Sequence, residues 1–384
     1  MSDTPSRRPA ETPAPAGEQS ADALSERELL RRMQAARHRD DPYHYDPPED
    51  LPGLVHPAFA VREGGYARCE DDNERLRFLT GYAVMAPSVL NTQPWRFRMR
   101  GGELELIAAR DRTLRRLDPH GRQLTISCGA ALFNLRVAAG HFGRSTRVEL
   151  LPDGPGGDVL ARVGLGSGKE ATGGWDGLFE AIPERRSNRG PFAPGSVSEA
   201  ALATAFVAAE AEGVHLYAYT DKTDKALLGR LTASAYAEQI DDEEVQREVR
   251  RWMRPTRAAE HDGVPDAAQG EWDRRSYLDP NPESAAVRGR VVASAPAVLV
   301  LASKTDEPRA WLQTGQALQR VLLRSTAQGL AASYLNDALE VDRTRAEVAR
   351  LTGGYPQVLF RLGRPELPSV DAPRRPPTDV FYRP

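Results

Sequence analysis

Residues 86–95 make up a short polar loop with a proline near each end, and they read Ala86-Pro87-Ser88-Val89-Leu90-Asn91-Thr92-Gln93-Pro94-Trp95. Helical spacing over 72–84 predicts a helix before this loop, which ends there because Pro87 cannot continue it. Large apolar residues alternate with arginines over 95–99, and Gly101-Gly102 precedes a second alternating run, which predicts a β-hairpin. The loop is therefore expected to join a helix to the first strand of a sheet.

The polar side chains of this loop suit the edge of a planar heterocycle. Ser88, Asn91 and Gln93 offer a hydroxyl and amides close together, beside backbone N–H groups. The carbonyls and ring nitrogens of a heterocycle need donors and acceptors that are fixed in its plane. The alternative is an ordinary capped turn that places Trp95 in the core.

Two arginine motifs predict a phosphate site. The first reads Arg185-Arg186-Ser187-Asn188-Arg189, and the second is Arg374-Arg375 near the C-terminus. Clustered guanidiniums beside a hydroxyl bind phosphate because arginine presents its donors as a fork. Arginine supplies nearly all positive charge in this chain, since lysine occurs only at positions 169, 222, 225 and 304. A solvated charge run is therefore the alternative for either motif taken alone.

Two predicted helices resemble each other and indicate an internal repeat. Gly129-x-Ala131-Leu132 aligns without gaps on Gly315-x-Ala317-Leu318, and each helix ends at a glycine before a strand. A glycine inside a helix costs about 1 kcal/mol relative to alanine, which favours a role in close packing. The alternative is that amphipathic helices look alike. A duplicated α+β unit explains both the alignment and the glycines.

Composition restricts the class of protein further. The chain has 384 residues, of which 40% are hydrophobic and 27% charged, with a formal net charge of −3. This is globular composition of a length for two domains or one large one, and the near-neutral charge argues against a nucleic-acid partner. Two cysteines form no disulfide framework, and no histidine has metal-ligand spacing. The sequence has no transmembrane-length apolar run and no signal-peptide core, so we expect a cytoplasmic protein without a membrane partner.

The polar loop and the arginine motifs together resemble the FMN-dependent nitroreductase family. The loop is similar to that family's flavin-contacting loop, and Arg-Arg-Ser is similar to its phosphate anchor. The anchor here follows the loop by about a hundred residues, which reverses the usual order and resembles the Acg-like branch, as does the segment 125–135. The resemblance implies an α+β, nitroreductase-like fold. In it, two tandem related halves of one chain form an intramolecular pseudo-dimer.

The resemblance also implies a cofactor site shared by the two halves. One FMN per chain is expected, because the second half has no second copy of the polar loop. The flavin ring would contact Pro87, Ser88 and Asn91. The phosphate would contact Arg185, Arg186 and Ser187, with help from Arg374 or Arg375. Gln313 would approach the ribityl chain, and Tyr334, Leu335 and Asn336 would lie near the reactive edge of the ring. No residue is assigned as catalytic, and no metal is expected.

The implied activity is a two-step oxidoreductase reaction. NAD(P)H would reduce FMN and leave, and a nitro, quinone or other small acceptor would then take the electrons. The alternative is a protein that stores or sequesters FMN with little turnover. The charged segment 241–290, with the isolated aromatic residues Trp252, Trp272 and Tyr277, could form a lid over the flavin or merely a surface excursion.

The same reasoning divides the chain into four parts. Residues 1–25 are predicted to be a disordered tail, because they carry too little apolar area to offset ordering. Residues 26–152 form the first nitroreductase-like half and 175–384 the second. Residues 153–174 are predicted to be a glycine-rich linker, since Lys169 is followed by glutamate rather than the hydroxyl residue of a phosphate loop. A chain with both halves is expected to be a monomer or a weak homo-oligomer.

Overall fold

Helices and antiparallel sheets account for most of the described chain. The computed structural model describes residues 61, 63–168, 175, 177–254, 261–265, 282–367, 369 and 371–382. The predicted tail 1–25, Trp272 and Tyr277 lie outside these residues. The helices are α1 (Asp72–Ala83), α2 (Arg122–His141), α3 (Leu178–Glu184), α4 (Glu199–Glu210), α5 (Lys222–Asp241), α6 (Glu243–Arg250), α7 (Pro282–Ala293), α8 (Pro308–Thr326), α9 (Asp337–Glu340), α10 (Asp342–Thr352) and α11 (Pro377–Val380). The strands are β1 (Trp95–Arg100), β2 (Glu103–Ala108), β3 (Arg144–Leu150), β4 (Val159–Ser167), β5 (His215–Tyr219), β6 (Met253–Arg254), β7 (Val264–Pro265), β8 (Ala297–Ser303), β9 (Ala331–Tyr334) and β10 (Tyr355–Gly363).

The first sheet begins with the predicted hairpin. Strands β1 and β2 pair antiparallel from Trp95↔Ala108 to Arg100↔Glu103, which confirms the hairpin. Gly101 and Gly102 make the turn with φ of 60° and 83°, a conformation that glycine adopts without a Cβ clash. Helix α1 precedes the sheet and confirms the predicted helix, with the side chain of Asp71 capping its N-terminus.

The predicted linker 153–174 is wrong over part of its length, because Val159–Ser167 form strand β4. Apolar side chains of β4, among them Leu160 and Val163, lie in the core. Gly164 and Gly166 pair with Arg147 and Ser145 of β3. A Cβ would lie 2.8 Å from the Arg147 guanidinium at the first glycine and 2.4 Å from the Ser145 hydroxyl at the second. These glycines therefore make room for neighbouring side chains of a sheet instead of loosening a linker.

The second sheet repeats the topology of the first. The first sheet has the strand order β1-β2-β4-β3 and the second has β5-β8-β10-β9, and every pairing in both is antiparallel. In chain order, both sheets therefore read first-second-fourth-third. A long helix separates the second strand from the third in each sheet: α2 in the first and α8 in the second.

Helices α2 and α8 cross at Gly129 and Gly315, the two glycines of the sequence repeat. A Cβ on Gly129 would lie 2.3 Å from the carbonyl oxygen of Leu312, and one on Gly315 would lie 2.0 Å from that of Ile126. Each glycine thus meets the carbonyl three residues before the other. This reciprocal contact is as close as two helix backbones can come, which explains why a residue unfavourable within helices occupies both positions.

In the part of the chain that the structure describes, every helix is too short or too polar to cross a lipid bilayer.

Candidate functional site

A cleft lies between the polar loop, the long helices α2 and α8, and the second sheet. It encloses about 1450 Å³, including space open to solvent. The polar loop and the start of α2 form one side, and the other side comes from the end of α3, β9, the helices α5, α6 and α9, and the C-terminal segment. The cleft brings together these predicted site residues: Pro87, Ser88, Asn91, Arg185, Arg186, Ser187, Tyr334, Asn336 and Arg374.

The polar loop carries unusual backbone strain. Leu90, Asn91 and Gln93 have φ of 47°, 53° and 47°, in the left-handed region that costs L-residues about 1–2 kcal/mol each. Ser88 helps to hold this conformation, because its hydroxyl oxygen accepts a hydrogen bond of 2.8 Å from the Gln93 backbone N–H. Trp95 is completely buried just after the loop, so the turn also places this side chain in the core as the alternative interpretation predicted. Strain of this kind persists only where surrounding contacts enforce it.

Asn91 connects the loop to two distant segments. Its amide nitrogen donates hydrogen bonds of 2.9 Å to the carbonyls of Gly263 and of Pro373. Its amide oxygen accepts a bond of 3.0 Å from the Arg374 guanidinium. Both N–H groups of this side chain are therefore used within the protein, so Asn91 lines the cleft as a residue that positions the loop.

Gln93 makes the second set of connections and is fully buried. Its amide nitrogen donates to the carbonyl of His261 at 2.7 Å, and its oxygen accepts from the backbone N–H of Arg375 at 2.8 Å. Asp262, between the two contacts of the segment 261–263, pairs with Arg112. Part of the predicted lid 241–290 is therefore attached to the polar loop, while its residues 255–260 and 266–281 lie outside the described residues.

The buried arginines form a positively charged pocket beside the loop. Arg185 and Arg374 are each 3% exposed, and both point a guanidinium nitrogen at the carbonyl of Met85, at 3.4 Å. Burial, reinforced by the charges of Arg186 and Arg189, lowers the pKa of Arg185 to about 10. Burial and the charge of Arg185 likewise hold the pKa of Arg374 well below its usual range. Like charges at such depth favour the binding of an anion beside them.

Two buried donor atoms in this pocket are available to hydrogen-bond a ligand. Among the described residues, the Nε of Arg185 and the hydroxyl of Tyr334 have no hydrogen-bond partner although both atoms are buried. Burial raises the pKa of Tyr334 to about 12, against the effect of Arg185, so the phenol stays a donor at neutral pH. Arg186 differs, because it is paired with Asp371. The pocket thus offers unused donors to an anion, and phosphate oxygens are acceptors of the right kind.

Three predicted site residues do not line the cleft. Leu335 is 2% exposed and packs in the core beside the second sheet. Arg375 contributes its backbone N–H to Gln93, but its guanidinium contacts the carbonyl of Asp379. Gln313 is on α8 at the position that aligns with Ser127 of α2, and Ser127 is the one that lines the cleft. Because the two helices cross reciprocally, matching faces of α2 and α8 point to opposite sides.

Sequence reasoning missed Gln123, which lines the cleft from the start of α2. The available signal was a glutamine near the beginning of a long helix. This signal was applied to Gln313 of α8, but α2 has such a glutamine as well. It also missed Glu340 of α9, Gln239 of α5 and the buried ion pair between Arg288 and Asp337 at 3.0 Å. These residues come from separate helices and belong to no local motif, so only the fold brings them together.

A strained polar loop beside a buried cationic pocket in one cleft, on an α+β fold, defines a protein suited to a planar ligand that carries an anionic group. The sequence model of the Nitroreductase family matches residues 182–364. A Mycobacterium tuberculosis protein named "Putative NAD(P)H nitroreductase" is 34% identical over 309 residues, which cover 76% of this chain and 86% of the relative. The M. tuberculosis "Putative NAD(P)H nitroreductase acg" is 31% identical over 320 residues, which cover 78% and 93%. The chain belongs to the nitroreductase family of oxidoreductases, in its Acg-like branch.

Solved structures show a more distant likeness. The FMN-dependent nitroreductase NfnB from Mycobacterium smegmatis, in complex with NADPH, is 19% identical, with a TM-score of 0.38 over 53% of this chain and 96% of that one. A nitroreductase from Bacteroides fragilis with bound FMN is 17% identical, with a TM-score of 0.33 over 51% and 95%.

Proposed function

We propose that the chain binds one FMN in the cleft and uses it as a nitroreductase-like oxidoreductase with NAD(P)H as electron donor. The observation that carries this proposal is the unused Nε of Arg185 beside the unused hydroxyl of Tyr334, both buried and both facing the cleft. The names of the relatives support the donor, and the family supports the flavin.

The residues of the cleft fit FMN at both ends. Arg185 and Arg374, with the Ser187 hydroxyl and Tyr334, would hold the phosphate, and a dianion would neutralise the two buried cations. The polar loop, from Pro87 to Asn91, would place backbone groups against the ring. Bound FMN would supply hydride transfer, which no side chain provides. The chain's own residues bind and orient the cofactor, and the apolar side chains of α6 and β7 exclude water from it.

We infer that two halves, 26–152 and 175–384, form an intramolecular pseudo-dimer. The shared strand order of the two sheets and the reciprocal contact between Gly129 and Gly315 support this inference. The cleft supports it too, because the polar loop comes from one half and the arginines from the other. A chain with this arrangement completes its site alone and would work as a monomer with one FMN.

A storage function is the second candidate, and one observation favours it. The segment 261–263 is hydrogen-bonded to both Asn91 and Gln93, so it closes one edge of the cleft next to the polar loop. If this closure persists with FMN bound, it would restrict the access of donor and acceptor to the ring from that edge.

Anaerobic reduction distinguishes the two candidates. Purified protein would be loaded with FMN, the bound stoichiometry measured, and NADH or NADPH added while the visible flavin absorbance is followed. Bleaching supports the oxidoreductase, and an oxidised spectrum that persists with both donors supports storage. A protein that takes up no FMN contradicts both, and two FMN per chain would contradict the pseudo-dimer with a single site.

A further inference from the structure

Glu340 lies in a wall between two cavities. It lines the cleft, and it also lines a second groove that opens on the outside between α5, α9 and α10. Gln239 and Val245 also belong to both linings, so the two cavities are adjacent at this point. A carboxyl group in this place can exchange protons with solvent on one side and with a ligand on the other.

A directed chain of hydrogen bonds fixes one oxygen of this carboxyl group as an acceptor. The backbone N–H of Leu359 donates to Asn336 Oδ1 at 2.9 Å, which leaves Asn336 Nδ2 to donate to Gln123 Oε1 at 3.2 Å. Gln123 Nε2 then donates to Glu340 Oε1 at 2.9 Å. A backbone N–H can only donate, so it sets the orientation of both amides. Oε1 of Glu340 therefore accepts, whatever the protonation state.

The other oxygen is free to carry a proton. Oε2 of Glu340 accepts a bond of 2.7 Å from Gln239 Nε2, and no other hydrogen bond in the described part of the chain fixes the direction of the Gln239 amide. Rotation of this amide by half a turn would present its oxygen to Oε2. A proton on Oε2 would then be donated to Gln239, and both forms of the carboxyl group would be fully hydrogen-bonded.

The surroundings of Glu340 allow both the protonated and the ionised carboxyl group to be populated near neutral pH. Burial and the neighbouring carboxylate of Asp337 raise the pKa of Glu340 to about 7, and the amides of Gln239 and Gln123 and the charge of Arg122 on α2 act against them. Asp337 itself is paired with Arg288 of α7 at 3.0 Å. The outer groove also has the pair Arg343–Glu238, and its other charged or titratable residues are Arg116, Asp118, His120, Asp242, Asp306, Asp342 and Arg345. On the cleft side the corresponding residues are Arg185, Arg186, Arg189, Tyr236, Tyr334 and Arg374.

We propose that Glu340 Oε2 delivers the proton that an acceptor needs when it is reduced in the cleft, and that water in the outer groove restores it. This rests on the proposed oxidoreductase function. A quinone-type acceptor that receives one hydride equivalent, drawn from NAD(P)H, is left with a negative oxygen. The O–H bond of Glu340 breaks as the new O–H bond of the acceptor forms, which gives the neutral hydroquinone and the Glu340 carboxylate. The carboxylate then takes one proton from the groove.

Infrared titration tests the proton-holding step without any activity measurement. Wild-type protein, Glu340→Gln and the control Glu347→Gln, which changes an exposed carboxylate on α10, would be followed between pH 5 and 9. A protonated-carboxyl band that disappears near pH 7 is expected in wild type and control and is expected to be missing in Glu340→Gln. Glutamine reproduces the hydrogen bonds of the protonated form, so this variant should fold. A wild-type protein without such a band overturns the proposal.

The delivery step is tested on protein reduced beforehand and mixed with a benzoquinone. The rate of flavin reoxidation should fall about tenfold per pH unit above pH 7 in wild type and in Glu347→Gln, as the protonated fraction falls. In Glu340→Gln, saturated with FMN and reduced beforehand, it should be at least tenfold slower at pH 6 and independent of pH. An unaltered pH profile in Glu340→Gln overturns the relay. A wild-type protein that NAD(P)H cannot reduce overturns the proposed function instead. The infrared titration does not depend on reduction, so it still tests whether Glu340 holds a proton.

Discussion

At the scale of single residues, Arg185 is the clearest example of a side chain kept for a ligand. Burying a guanidinium without a carboxylate beside it lowers stability, because the charge loses its hydration. Its position at the end of α3, 3.4 Å from the carbonyl of Met85, joins this helix to the base of the polar loop. An anionic ligand bound beside Arg185 would offset this loss of stability.

Replacing Arg185 by methionine should therefore separate binding from stability. Arg185→Met removes a buried charge while keeping much of the side-chain volume, so the melting temperature of the FMN-free protein should stay the same or rise. FMN affinity should fall about 100-fold, as expected for loss of a buried charge-assisted contact of about 2–3 kcal/mol. Calorimetry with and without FMN measures both. Arg147→Met, at a position 70% exposed, is the control and should change neither quantity. An Arg185→Met protein that binds FMN normally contradicts the phosphate assignment.

Asn91 provides a second test, of strain against hydrogen bonding. Asn91→Ala and Asn91→Gly both lose the bonds to Gly263, Pro373 and Arg374, and each should lower the free energy of unfolding by about 2–4 kcal/mol. The glycine variant should remain about 1 kcal/mol more stable than the alanine variant, because φ of 53° strains only the latter. Urea denaturation gives both numbers. Equal stabilities would show that the left-handed backbone is not enforced.

The residues that sequence could identify are those grouped in short motifs. Ser88, Asn91, Arg185 and Arg374 do meet at one cleft, because each motif is rigid locally and has a distinct chemistry. The role of Asn91 was not visible, since its partners at 263 and 373 come from segments without any recognisable pairing signal. Gln123 and Glu340 were missed for the same reason: their meaning depends on which faces of three helices point into the cleft.

At the scale of elements, the two long helices α2 and α8 connect the parts of the chain that carry the two sheets. The glycines at their crossing were noticed in the sequence, and close packing was the correct reason for them. The expected contact between Gln313 and the ribityl chain came from the family resemblance, and Gln313 does not line the cleft. The strand β4 was missed because glycines usually weaken strands, whereas here they accommodate Arg147 and Ser145 of the neighbouring strand.

Gly129→Ala should be severely destabilising, because its Cβ would lie 2.3 Å from a backbone carbonyl that cannot move without separating α2 from α8. We expect a loss of at least about 3 kcal/mol, as for overpacking against backbone. Gly140→Ala is the matched control in the same helix, since its Cβ would meet only Trp175 at 3.9 Å. That variant should gain up to about 1 kcal/mol from helix propensity. Denaturant unfolding of both proteins checks the pair, and a tolerated Gly129→Ala would refute the close crossing.

At the scale of the whole molecule, the two sheets share one fold pattern but not one chemistry. The polar loop occurs beside the first sheet and the arginine pocket beside the second, so both parts of the chain contribute residues to a single cleft. The α+β class was expected from the family resemblance, and the repeat from the alignment of the two helices around Gly129 and Gly315. The placement of the two sheets relative to each other depends on long-range packing, for which a single sequence offers little signal.

Stability against pH is a property of the whole molecule to which individual carboxyl groups contribute with opposite signs. The pKa of Asp306 is held below its usual range by hydrogen bonds from Arg345, Gln357 and Trp311 that outweigh its burial, so its contribution is present above pH 4 and is lost as the pH falls. The pKa of Glu340 is raised to about 7, so its contribution is present below pH 4 and is lost as the pH rises to 7.

The free energy of unfolding should accordingly decline between pH 5 and pH 8, by about 2 kcal/mol from Glu340 alone. The glutamine of Glu340→Gln is uncharged in the folded and the unfolded protein. The free energy of unfolding of this variant should therefore fall about 2 kcal/mol less than that of wild type between pH 5 and pH 8. At pH 8 the variant should be more stable than wild type. Glu347→Gln should follow the wild-type curve. Urea titrations at pH 5, 6, 7 and 8 provide the comparison, with the melting temperature as a second probe. Parallel curves for wild type and Glu340→Gln would mean that Glu340 is ionised throughout, and the proton would have to reach the cleft from elsewhere.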